Sequence, residues 1–146
     1  MSTLQSGDVH ADHPYLSILW DRQNSCVRAE FKSFATSAEF RSGTTEILDA
    51  IRERHAGSLI SDNRRLELVT SEDQLWIRDT WVPLAVDAGL KRIAVVVAHH
   101  GLGRYASQEI INRFPNMVFV TRTFDSVDEA VKWVADDHKQ TRDDPP

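Results

Sequence analysis

The chain has 146 residues, 41% of them hydrophobic and 27% charged, with 17 Lys+Arg against 22 Asp+Glu for a formal charge of −5. That is enough chain for one domain with a full core and no metal or disulfide staple. The acidic balance excludes bulk nucleic-acid binding, which needs a basic surface to displace counterions from phosphate.

The single cysteine, Cys26, cannot form an internal bridge, and its place in an alternating run predicts a structural thiol in a strand. No apolar run approaches the ~20 residues of a membrane span. The opening MSTLQSGDVHADHP lacks a charged region followed by an apolar one, so a cytoplasmic protein is expected.

Residues 1–13 are polar and unpatterned and read as a disordered tail, with one folded domain over 14–135. Tyr15–Trp20 and Cys26–Lys32 are β-prone runs joined by the turn-rich DRQNS, which predicts an antiparallel hairpin. Val27, Ala29 and Phe31 face one way and Arg28, Glu30 and Lys32 the other, so the hairpin is expected towards a sheet edge.

Thr36 with Glu39 three residues on has capping-box spacing, and Phe40, Ile47, Leu48 and Ile51 recur at helical period behind it. Gly43 inside that helix costs ~1 kcal/mol relative to alanine, which predicts a close approach to the sheet.

Ser58–Ser61 reads as a short buried strand. Ser71 with Gln74 reads as a second capping box, opening a helix that Gly89 stops. Pro83 within it lacks the N–H that would bond the Asp79 carbonyl, so a bend is expected there. Lys91–Ala98 is an unbroken β-branched run, the pattern of a strand covered on both faces.

Arg104–Phe114 follows as a helix with Ser107, Ile110, Ile111 and Phe114 inward, and Met117–Thr121 is the expected last strand. Ser126 and Glu129 cap a final helix with Val127, Ala130, Val131 and Val134 inside. Residues 136–146 are charged, end in two prolines and read as a disordered tail. The fold class that results is α/β: a mostly parallel sheet of four or five strands with an N-terminal antiparallel hairpin and four helices, in the order ββαβαβαβα.

That order, together with EFRSG (Glu39–Gly43), Asp62 followed by Arg64, SEDQLW (Ser71–Trp76), AGLKRIAVVV (Ala88–Val97) and FDSVDEAVKWV (Phe124–Val134), resembles the SpoIIAA-like STAS family, and within it small bacterial STAS-like proteins. The resemblance implies a non-enzymatic regulatory or protein-interaction module with no cofactor. It also implies a protein partner or a homodimer, and in some members phosphorylation of a serine at a helix start. Ser71 is the nearest counterpart of that serine. It stands in Thr70-Ser71-Glu72-Asp73 rather than Asp-Ser-Ser-Gly, and serving as a helix cap explains it without a phosphate.

In an open parallel sheet, ligands favour the crevice beyond the strand carboxyl ends. Asp62, Arg64, Arg65, His99, His100, Arg104 and Arg122 are the residues expected there, and arginines with helix starts suit an anion or nucleotide. His99-His100 lacks the spaced partners of a metal site, and none is expected. Trp76 falls on an otherwise polar helix face, a place that suits an interface, whereas Trp81 falls on the core side. The alternative function is a small-ligand, lipid-like binding domain, by analogy with the related CRAL-TRIO topology. No Gly-x-Ser-x-Gly elbow or Cys/His pair points to an enzyme.

Overall fold

A computed structural model of the chain describes residues 7–66, 69–99, 102–113 and 119–143. It is an α/β fold whose six-stranded sheet runs in sequence order, β1 (Gly7–Asp12), β2 (Leu16–Asp21), β3 (Cys26–Phe31), β4 (Ser58–Asp62), β5 (Arg92–Val96) and β6 (Val120–Phe124). The first three strands are antiparallel, and β3 to β6 are parallel. The helices are α1 (Ser37–Arg54), α2 (Ser71–Trp76) continued by a π-helical stretch (Ile77–Trp81) into α3 (Val82–Asp87), α4 (Leu102–Asn112) and α5 (Val127–Asp143).

Two apolar clusters divide the packing. The larger joins Ile18, Val27, Ala29, Leu59, Ile93 and Val95 on one sheet face to α1, α2–α3 and the half-buried Ile110 and Ile111 of α4. The smaller joins Cys26, Ile60, Ala94 and Val96 on the other face to Ala130 and Val134 of α5. Successive residues of β5 therefore enter opposite cores, and Ile93 to Val97 are all buried, as an unbroken apolar run requires.

Local chemistry sets the helix starts. Thr36 accepts from the Glu39 N–H at 3.1 Å while the Glu39 carboxylate accepts from the Thr36 N–H at 2.9 Å, a complete capping box. At α2 the N-cap is Thr70, not Ser71: the Thr70 hydroxyl accepts from the Asp73 N–H at 3.1 Å, and Gln74 donates instead to the Val69 carbonyl. Ser126 accepts from the Glu129 N–H at the start of α5.

Several expectations need correction. Residues 7–12, read as part of a disordered tail, form β1. They lack an apolar stripe; the strand pairs antiparallel with β2, and polar contacts add to the ladder: Asp8 meets Arg54 at 3.5 Å, His10 meets Glu53 at 3.2 Å, and Asp12 accepts from Ser17 at 2.7 Å and Lys32 at 2.5 Å. With β1 as the edge, the β2–β3 hairpin lies inside the sheet, and Arg28 and Glu30 are half-buried.

The last strand begins at Val120, where the N–H bonds the Lys91 carbonyl, rather than at Met117, which lies outside the described residues. Asp136–Asp143, read as a second tail, continues α5. A helix already nucleated at Ser126 extends at little cost, and no glycine or proline interrupts the sequence before Pro145.

The helix carries a π turn immediately before Pro83, where the Val82 N–H bonds the Ile77 carbonyl. The extra residue rotates the rest of the helix by about a quarter turn. Val82 takes a core position at 1% exposure, and Leu84, which falls with Trp81 on the core side of a regular helical wheel, is 38% exposed. Gly43 meets its expectation, since a Cβ there would sit 2.6 Å from Leu16 Cδ2 on β2.

Candidate functional site

The strand alternation of β4 splits its carboxyl end between the two sheet faces. Asp62 points to the α5 side, where its carboxylate accepts from the Arg64 backbone N–H at 3.2 Å and from the Arg64 guanidinium at 2.9 and 2.7 Å. Those hydrogen bonds hold the Arg64 guanidinium charged above its already high range. Beside this pair lies a shallow depression of about 20 Å³ with Ser17, Arg28, Glu30 and Val127 in its wall.

The other expected cations are dispersed. Arg104 donates to the Ala98 carbonyl at 3.2 Å and meets Asp125 at 3.4 Å, and the exposed His99 lies 3.7 Å from the same aspartate. Arg122 is not in a loop but at mid-strand opposite Ala94, its guanidinium 5.6 Å from the Phe124 ring centre. Arg65 is exposed, with no hydrogen bond or ion pair to the described residues. His100 lies outside the described residues. An anion at this end would compete with Asp62 and Asp125, which already occupy two of the four arginines. Among the described residues no group of His, Cys, Asp or Glu is placed to hold a metal ion.

On the opposite face the same strand end opens into a chamber of about 70 Å³, roofed by α4 and walled by α1, the π stretch and the sheet. Phe31, Phe40, Ile47, Ile77, Trp81 and Ile93 are among its apolar lining. One end is polar. The Ser61 hydroxyl donates to Asn63 Oδ1 at 2.7 Å, and Asn63 Nδ2 donates to Ser107 Oγ on α4 at 3.2 Å. Asn63 and Ser107 are both buried, and the Asn63 N–H bonds the Val96 carbonyl, which fixes the residue between β4 and β5.

The crevice location expected from the topology thus holds a different set of residues. The signal for them was present in part, since Ser107 is the one polar residue on an inward helix face otherwise made of Ile110, Ile111 and Phe114. Asn63 and Ser61 gave no such signal, because β4 is too short to show which side each residue faces.

Trp76 is half-buried and packs against the larger core. Arg41 of α1 lies over its ring at 5.4 Å while donating to Asp73 at 2.7 Å. Ser71 is exposed in the first turn of α2, beside Glu72 and Asp73. Near Trp76 in sequence, Leu75, Leu84 and Val86 show 36%, 38% and 38% of their surface to solvent. No helix among the described residues is long and apolar enough to cross a membrane. No family model, curated protein or solved structure matches this chain.

Proposed function

We propose that this chain is a non-enzymatic module of the STAS type that works by binding another protein chain, with itself as the first partner to test. The observation that carries this reading is the half-buried Trp76, stacked by Arg41 of α1 on a helical segment that also exposes Leu75, Leu84 and Val86. Aromatic and arginine side chains anchor protein interfaces, and large apolar side chains in water are a standing cost that association removes.

The test is a pair of mutants followed by sedimentation and thermal melts. Trp76→Ala is expected to weaken association by about 2 kcal/mol or more while lowering stability only modestly. Trp81→Ala is expected to cost about 3–5 kcal/mol in folding, since its ring is buried and its indole N–H donates to the Thr44 carbonyl at 2.6 Å. If Trp76→Ala melts as early as Trp81→Ala with unchanged oligomer mass, Trp76 is an intrachain core residue and the interface reading fails.

A second reading, small-ligand binding in the manner of the CRAL-TRIO topology, is supported by the chamber beneath α4. It is apolar over most of its wall and polar at one end, the usual constitution of a small-molecule site.

A further inference from the structure

We infer that the chamber under α4 takes a small neutral molecule with a hydrocarbon body and one hydrogen-bond-accepting oxygen, held at the Ser61–Asn63–Ser107 end. This rests on the small-ligand reading and narrows it to a chemical class. Three observations carry it.

The first is charge. Among the described residues no charged side chain lines the chamber. Burying an unpaired ion against aliphatic walls costs several kcal/mol, so a charged ligand is excluded on energetic grounds.

The second is a count of protons. Two serine hydroxyls and one carboxamide carry about four donor hydrogens between them. The trio makes two internal hydrogen bonds, Ser61 to Asn63 and Asn63 to Ser107. Turning the Asn63 amide over reverses those bonds but leaves the same balance. The trio therefore carries two donor hydrogens beyond its internal bonds, at the polar end of an otherwise apolar chamber. Buried donors without partners are costly, and a ligand oxygen would satisfy them.

The third is size and access. The chamber is about 70 Å³, roughly half the ~150 Å³ that accommodates benzene in an engineered apolar cavity. A five-carbon ring therefore fills the chamber and reaches its open side or displaces α4. Among the described residues three side chains fasten the helix: Arg113 donates to Gln74 at 2.8 Å near its end, Arg104 meets Ala98 and Asp125 near its start, and Ser107 bonds Asn63 between them. Ile110 and Ile111 add apolar contact to the large core.

The experiment is a ¹H–¹⁵N NMR titration of the full chain with cyclopentanone, cyclopentane and cyclopentanecarboxylate, repeated on Ser107→Ala and Ser61→Ala. Thermal melts identify which variants stay folded. Cyclopentanone is expected to shift the amides of Ser61, Asn63, Ser107 and Ile110 saturably, and to bind about 3- to 10-fold more weakly to either serine variant, as loss of one hydrogen bond predicts. Cyclopentane is expected to bind both variants as it binds the parent, and the carboxylate not to bind. If ketone and hydrocarbon respond identically to the serine substitutions, the oxygen assignment is overturned while the ligand chamber stands. Binding of the carboxylate as tight as that of the ketone overturns neutrality. Silence of all these amides towards all three probes overturns the small-ligand reading itself.

Discussion

Gly43 and His55 break the same rule in opposite directions. Gly43 is a glycine in mid-helix, where alanine is favoured by about 1 kcal/mol, yet an added Cβ would stand 2.6 Å from Leu16 Cδ2 in a fully buried side chain. Overpacking a core costs about 1–3 kcal/mol, so Gly43→Ala is expected to lower the melting temperature instead of raising it. His55 is a non-glycine with φ of 51° at the end of α1, a conformation that costs an L-residue about 1 kcal/mol. His55→Gly is expected to stabilise by up to that amount in the same melts. Cys26 gives a chemical readout at this scale. Burial, with the Asp21 carboxylate adding to it, pushes its thiol pKa up to about 12. At pH 8 it is expected to resist iodoacetamide in the native protein and to react at once in denaturant; rapid native labelling would contradict its burial.

At the scale of elements, α1 and α2 are clasped by one buried carboxylate. Asp73 accepts from Ser37 at 2.8 Å and from Arg41 at 2.7 Å, both on α1. Burial works to raise its pKa, but the hydrogen bonds from Arg41, Ser37 and Thr70 outweigh it and hold the carboxyl below the ordinary 3.8. A depressed folded pKa stabilises the fold fully above the unfolded value, and that contribution is lost as pH falls through the folded one. Denaturant melts from pH 6 downward are therefore expected to show a loss of stability below about pH 4 that Asp73→Asn lacks, with the mutant ~1–3 kcal/mol less stable at pH 6. Equal acid slopes in both proteins would remove Asp73 as the cause. These two helices were legible in the sequence because their signals are local: Thr36 and Glu39 are three residues apart, and the inward apolar residues of α1 keep a 3.6 period. The π turn was not legible, since a helical wheel assumes a constant rotation per residue and Ile77–Trp81 breaks it. Strand β1 was hidden for another reason: Asp8 finds its cation at Arg54 and Asp12 at Lys32, and no window of the chain contains both members of either pair.

For the molecule as a whole, the sheet order makes stability decline from the inner strands towards the edges, β1 and β6. The frame from β3 to β5 was readable from the apolar run Lys91–Ala98 and the two strand–helix–strand crossovers that flank it. The chamber was not, because its polar end is assembled from β4, the residue after it and α4, and of these only Ser107 stands out in its own segment. β5 pairs with a parallel strand on each side and sends Ile93 and Val95 into one core and Ala94 and Val96 into the other. β1 and β6 each pair on one side, and the β1 register slips between Val9 and Ala11. Local opening costs anything from nearly nothing to the full unfolding free energy, according to how much buried apolar contact must be broken. Native-state hydrogen exchange is therefore expected to find the amides of Ile93 to Val96 opening only with global unfolding, while β1 and α4 exchange through smaller openings. The α4 result bears on binding, since a helix that opens below the global limit can admit a ring larger than the closed chamber. If Ile93–Val96 exchanged as fast as Gly7–Asp12, β5 would not be a strand buried on both faces. If α4 were protected to the global limit, a ligand would have to enter without that helix moving, and the closed 70 Å³ would cap its size.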